Sequence, residues 1–222
     1  PNVIMKMNKL PGTETSVSVI CAGTMNWGTF NTEPEAHEQL DYAISQGVNF
    51  IDTAEVYPIP PNKELQGLTE TYIGAWLKAR KNRDSLIVAS KVSSRIQAGI
   101  MGLRDTSAGL TAANIRIAID GTLSRLQTDY VDLYQVHFPD RKTNYLGVRG
   151  YEARAEQDGA PIEETLDALS EIVQAGKVRY IGISNETPWG LNEYLRLARE
   201  RNLPRVVTIQ NQYSLINRTF EV

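Results

Sequence analysis

Six short apolar runs alternate with five amphipathic stretches, and this rhythm limits the fold more than any other feature of the 222 residues. The runs fall at 17–22, 47–51, 86–90, 130–136, 178–183 and 206–209. They are too short for helices and read as buried strands. Each intervening stretch carries helix punctuation. Thr32 with Glu35 forms a capping box ahead of Leu40, Ala43 and Ile44, and Gly47 ends that helix. Thr69 opens the second helix, whose inner face is Tyr72, Ile73, Trp76 and Leu77. Ile115, Ala118, Ile119, Leu123 and Leu126 mark the third. Pro161 starts the fourth, with Leu166, Leu169, Ile172 and Val173 inward and Gly176 as its stop. Thr187-Pro188 starts the fifth, with Leu191, Tyr194, Leu195 and Ala198. No hairpin signal or linker is read between the runs, so a single α/β domain over 1–222 with a helix-covered parallel sheet is expected.

Two architectures meet that description. An open doubly wound sheet expects a glycine-rich phosphate loop after its first strand. Gly23-Thr-Met-Asn-Trp-Gly28 is not one. A (β/α)8 TIM barrel expects polar residues at nearly every strand's carboxyl end. Thr24, Asp52, Lys91, His137, Ser184-Asn185 and Gln210 occupy those places, which favours the barrel. Eight units of this size would need roughly 300 residues. The expectation is therefore a barrel of which this sequence covers about six βα units, without strands seven and eight. Position 1 is proline, so a native start at Met5 or Met7 is also expected.

Composition narrows the partners. A net charge of −3 without a Lys/Arg cluster gives no nucleic-acid surface. No apolar run approaches the ~20 residues of a membrane span. The single cysteine, Cys21, fits a reducing, cytoplasmic compartment. Oligomeric state has no signal.

The strand ends define a chemistry. Asp52 ends strand two, and Tyr57 follows in a loop kept irregular by Pro58, Pro60 and Pro61. A phenol has a pKa of ~10 and serves as an acid at neutral pH only with help. Lys91 supplies a cation to lower it, Asp52 holds that cation, and His137 is a neutral donor for a carbonyl oxygen. Such a site needs a hydride donor. Ser184, Asn185 and Gln210 suit a nicotinamide carboxamide, and Tyr213 suits stacking beneath the ring. Trp27 and Phe138 are read as pocket lining. The bland readings are a helix-capping Asp52, a solvated Lys91 and a structural His137. The loops 93–110 and 138–160 are expected to shape the pocket.

Asp52-Thr-Ala-Glu-Val-Tyr57, Lys91, Gln135-Val-His137, Gly182-Ile-Ser-Asn185, Gln210-x-x-Tyr213 and Gly23-Thr24-Met25 together resemble the aldo-keto reductases over about 17–220. Pro58-Ile-Pro-Pro61 and Gln66-Gly-Leu-Thr-Glu70 resemble its bacterial Tas-like branch. The resemblance implies a catalytic tetrad of Asp52, Tyr57, Lys91 and His137. It also implies NADPH held by Thr24, Met25, Ser184, Asn185, Gln210 and Tyr213, with an aldehyde or ketone as substrate. The family's pyrophosphate and 2′-phosphate sites belong to strands seven and eight. An NADPH-binding regulatory subunit, like channel-associated β subunits, is the alternative. A metal hydrolase using Asp52, Glu55 and His137 is disfavoured, because two histidines without H-x-H make a poor binuclear site.

Overall fold

The computed structural model describes residues 4–144, 146 and 159–218. Among the described residues there are eight strands: β1 (Met7–Lys9), β2 (Ser16–Ser18), β3 (Ala22–Gly23), β4 (Phe50–Asp52), β5 (Ile87–Val92), β6 (Val131–Val136), β7 (Val178–Ser184) and β8 (Val206–Gln210). Five α-helices separate the last six: α1 (Glu33–Ser45), α2 (Leu68–Arg80), α3 (Ala112–Leu126), α4 (Ile162–Gln174) and α5 (Pro188–Arg201). Strands β3 to β8 form one parallel sheet in sequence order, each paired to the next. Among the described residues, β3 and β8 are each paired on one side only.

The central strands are buried along their whole length. Both Ile87–Val92 and Val131–Val136 are buried at every position, as expected where helices cover a parallel sheet. Trp76, Ile115, Ile119, Leu166 and Leu169 press the helices onto that sheet. Full burial of such a side chain is worth about 1.5–3 kcal/mol. The helix stripes fall where the sequence pattern puts them, though Ala43, Ile44, Tyr72, Leu123, Val173, Leu191 and Leu195 are only partly buried. The Thr32–Glu35 box forms, with the Glu35 carboxylate accepting the Thr32 N–H at 2.7 Å.

The first predicted strand is corrected. Residues 17–22 do not form one element. Ser16–Ser18 pairs antiparallel with Met7–Lys9, and only Ala22–Gly23 enters the parallel sheet. The turn between β1 and β2 contains Pro11-Gly12, with Gly12 at φ 74°, a hairpin signal carried by two very short strands. Leu10 and Val17 from this hairpin pack on Ile87, Phe50 and Tyr180. It therefore covers the amino end of the sheet and leaves the carboxyl end open for a site.

Candidate active site

Parallel strands bring their carboxyl ends to one side, so side chains far apart in sequence meet there. Lys91 is the next-to-last residue of β5, before Val92, and is almost wholly buried. A buried ammonium needs all three of its N–H bonds satisfied. Lys91 Nζ donates to Asp52 Oδ2 at 2.6 Å, to the Thr53 carbonyl at 2.9 Å and to the Tyr57 hydroxyl oxygen at 3.4 Å. Asp52, Lys91 and Tyr57 are thus one connected unit. Because Lys91 donates to the Tyr57 oxygen, the phenolic proton is left to point elsewhere.

Two amides steady Asp52. Gln135 Nε2 donates to Oδ1 at 3.1 Å and Gln210 Nε2 to Oδ2 at 3.3 Å. Gln135 reaches across because its register neighbour on β7 is Gly182. A Cβ at Gly182 would lie 2.3 Å from Thr208 Oγ1 and 3.1 Å from Gln135 Cγ. Gln135 carried no role in the sequence reading. Its signal was a polar residue two positions before His137, on the same strand face.

His137 follows β6 and is buried at 7 % exposure. Phe138 stacks on its ring, with centroids 5.0 Å apart, and Tyr57 meets it edge-on at 5.7 Å. Asn185 Nδ2 donates to the His137 carbonyl at 2.9 Å. Burial, helped by the charge on Lys91, holds the imidazole well below its ordinary pKa, so the ring is neutral at pH 7. Burial pushes against charge on Lys91, but Asp52 and Tyr57 outweigh it and raise the ammonium's pKa. The expectation for Tyr57 is revised. Lys91 lowers its pKa as anticipated, yet burial is the larger effect, Asp52 adds to it, and the phenol stands above its usual value.

These groups face a cavity of about 490 Å³. Tyr57, Lys91 and His137 form its polar floor, and Met25, Ser184, Asn185 and Gln210 lie at its rim. Val56, Ile59, Ile96, Ile100 and Phe138 give it apolar walls. Ser184 Oγ donates to the Gln210 carbonyl at 2.8 Å, which ties β7 to β8 at this rim.

Three expected residues lie elsewhere. Trp27 is buried in the core behind the site, with Nε1 donating to Gln39 Oε1 at 3.0 Å. It packs as a large apolar ring rather than lining the cavity. Thr24 is buried and donates to the Asp52 carbonyl at 2.9 Å, so it joins β3 to β4 beneath the site. Tyr213 is 59 % exposed and outside the cavity lining, on the segment after β8, which is an edge strand among the described residues.

The loop over 93–110 is stapled in place. Glu55 accepts from Ser93 N at 2.6 Å and from Arg104 Nε at 3.0 Å. Gln66 bonds the Ile100 carbonyl and the Gly102 N–H, and Asp140 accepts from the N–H groups of Arg95 and Leu110. Glu55 is thereby spent on an anchor and not turned to a metal with Asp52. Most of the 138–160 loop lies outside the described residues.

A model of the Aldo/keto reductase family matches residues 19–221. Protein tas of Escherichia coli (strain K12) is 52 % identical over 218 residues, which cover 98 % of this chain and 63 % of tas. The uncharacterized oxidoreductase YrpG of Bacillus subtilis (strain 168) is 36 % identical over 219 residues, 98 % of this chain and 61 % of YrpG. Norsolorinic acid reductase B of Aspergillus parasiticus is 30 % identical over 223 residues, 95 % of this chain and 51 % of the reductase. The chain thus spans about half to 63 % of the length of these relatives.

Proposed function

The chain belongs to the aldo/keto reductase family, and on that premise we propose that it reduces aldehydes or ketones to alcohols with NADPH. The fold is accordingly six βα units of a (β/α)8 barrel. The observation that carries the reading is the Asp52–Lys91–Tyr57 chain meeting His137 on one cavity floor.

Tyr57 is the general acid and gives its proton to the substrate oxygen. Its raised pKa keeps it protonated at neutral pH, and Lys91 stabilises the tyrosinate left behind. Asp52 keeps Lys91 charged and in position. His137, neutral, donates a hydrogen bond to the same oxygen and polarises the carbonyl without a second full charge. Ser184, Asn185 and Gln210 would hold the carboxamide of the nicotinamide, since the rim offers neutral amides and a hydroxyl, a donor set that suits a neutral amide. When bound, NADPH supplies the hydride, which no residue of the chain can. The apolar walls at Val56, Ile59, Ile96, Ile100 and Phe138 suit a substrate with an apolar body and one carbonyl.

A single barrel domain over 1–222 belongs to the same proposal, as does a cytoplasmic setting. Among the described residues, no helix is long and apolar enough to cross a membrane. The test is Tyr57→Phe in a form extended to the relatives' length. Carbonyl reduction is expected to fall about 10²–10⁴-fold, with NADPH fluorescence titration unchanged. Full activity in that variant would overturn the assignment of Tyr57. Absence of NADPH binding in the unmodified protein would overturn the cofactor.

A further inference from the structure

We infer that Gln97 is a positioning residue that fixes the proton of His137 on Nε2, the nitrogen needed for carbonyl polarisation; this rests on the reductase reading above. Gln97 sits in the short 3-10 turn Arg95–Gln97 and is 4 % exposed. Its side chain makes two contacts, and together they decide the tautomer. Gln97 Oε1 accepts the backbone N–H of Ser94 at 3.1 Å. A backbone N–H can only donate, so the oxygen of the amide must face Ser94. The NH₂ group therefore faces His137, where Gln97 Nε2 lies 3.4 Å from Nδ1. An NH₂ group can only donate, so Nδ1 is the acceptor and carries no proton. The imidazole is neutral and has one N–H, which must then be on Nε2.

Turning the ring over would disturb two ring contacts. Phe138 stacks on one face and the Tyr57 ring closes on its edge. The relay thus runs from Ser94 N–H to the Gln97 amide, to His137, and on to a substrate oxygen in the cavity that His137 lines. The local sequence explains its precision. Ser94-Arg-Ile-Gln97 has capping-box spacing, in which the fourth side chain turns back to the first residue's N–H. The same turn places Ile96 in the apolar wall, so one short element sets both the tautomer and part of the pocket surface.

The experiment reads the tautomer directly. Protein labelled with ¹⁵N-histidine gives two imidazoles within this sequence, and His37→Gln assigns them. In the unmodified protein, His137 is expected to show a pyridine-type Nδ1 and a pyrrole-type Nε2. Gln97→Leu should shift both nitrogens toward averaged values and lower kcat roughly tenfold or more, leaving the Kd for NADPH unchanged. Gln97→Glu puts an acceptor at Nδ1 and should draw the proton there. A pyrrole-type Nδ1 in the unmodified protein overturns the inference, as does an unmixed Nε2–H tautomer in Gln97→Leu. Tautomers as expected with no carbonyl turnover in any form would support the positioning role and count against the reductase reading.

Discussion

Two buried carboxylates on this sheet are built from similar parts and do opposite things. Asp132, near the amino end of β6, accepts from Val88 N at 3.0 Å and pairs with Arg83 at 2.7 Å and Arg179 at 2.8 Å. The guanidinium carbons of Arg83 and Arg179 each lie 4.1 Å from the Tyr130 ring centroid. Asp52, at the carboxyl end of β4, pairs with one lysine and takes two amide N–H bonds. At Asp132 the charged groups and aromatic ring close on themselves. At Asp52 the chain runs outward to Tyr57, whose hydroxyl faces a cavity. A buried ion pair is thus no sign of function in itself. The difference lies in what the cation's remaining N–H bonds touch: Arg83 gives its own to Thr128 Oγ1 and to the Leu86 and Tyr130 carbonyls, whereas Lys91 reaches a titratable phenol.

Removing one member from each cluster separates the two roles. If the proposed reaction holds, Lys91→Met leaves Tyr57 without the cation that stabilises its anion, and carbonyl reduction with NADPH should drop roughly 10³-fold. Steady-state kinetics on the folded fraction would check this, and near-normal turnover would collapse the contrast. Asp132→Ala should do the reverse. It strands Arg83 and the Val88 N–H, and urea unfolding should show a loss of about 3 kcal/mol, softened because Arg179 already reaches solvent. Activity per folded molecule should be unchanged. A matching activity loss in Asp132→Ala would mean that the sheet couples its two ends.

The sequence carried unequal parts of this picture. The αβ alternation was legible because buried parallel strands are apolar throughout and Thr32 and Thr187 stand at the N-caps of α1 and α5. The meeting of Asp52, Lys91 and His137 at one cavity was legible because each ends a strand, and strand ends converge by topology alone. The β1–β2 hairpin was missed because three-residue strands leave almost no periodicity, though Pro11-Gly12 marked the turn. Trp27 was misplaced because an aromatic after a strand end has no directional signal; its indole turned to Gln39 on α1 instead of the cavity. The supports of the site were the least legible. Gln135, Gln97 and Glu55 act through pairings across roughly 40 to 80 residues, and polar residues in a strand or loop do not announce such partners.

The pH profile sharpens the comparison further, because it isolates the outward-facing group. In the proposed reaction Tyr57 must be protonated to give its proton, and burial holds its pKa above the ordinary phenol value. Activity should therefore stay level through neutral pH and fall about tenfold per unit only above the raised pKa. His137, already neutral with its pKa well below 6.5, should add no step between pH 6 and 8. A titration of kcat/KM across pH 6–11 would show a step near pH 7 if a charged His137 were required.

The smallest effect belongs to a third acid, which lacks both burial and a cavity. Asp41 on α1 accepts from Arg80 Nε at 2.9 Å and from Trp76 Nε1 at 2.8 Å. The Arg80 hydrogen bond, with help from Trp76, holds its pKa at about 2, below the ordinary 3.8. The folded state therefore binds this proton less readily than the unfolded chain. Its stabilisation is present above pH 3.8 and is lost as pH falls through 2. Both partners are more than two-fifths exposed, so solvent screens the pair and Asp41→Asn should cost only about 0.5 kcal/mol. Thermal unfolding at pH 6 should reveal that difference, and adding salt should shrink it. A salt-insensitive loss as large as that of Asp132→Ala would show that a carboxylate on this fold stabilises by its partners alone. Burial would then no longer separate the structural acid from the surface one.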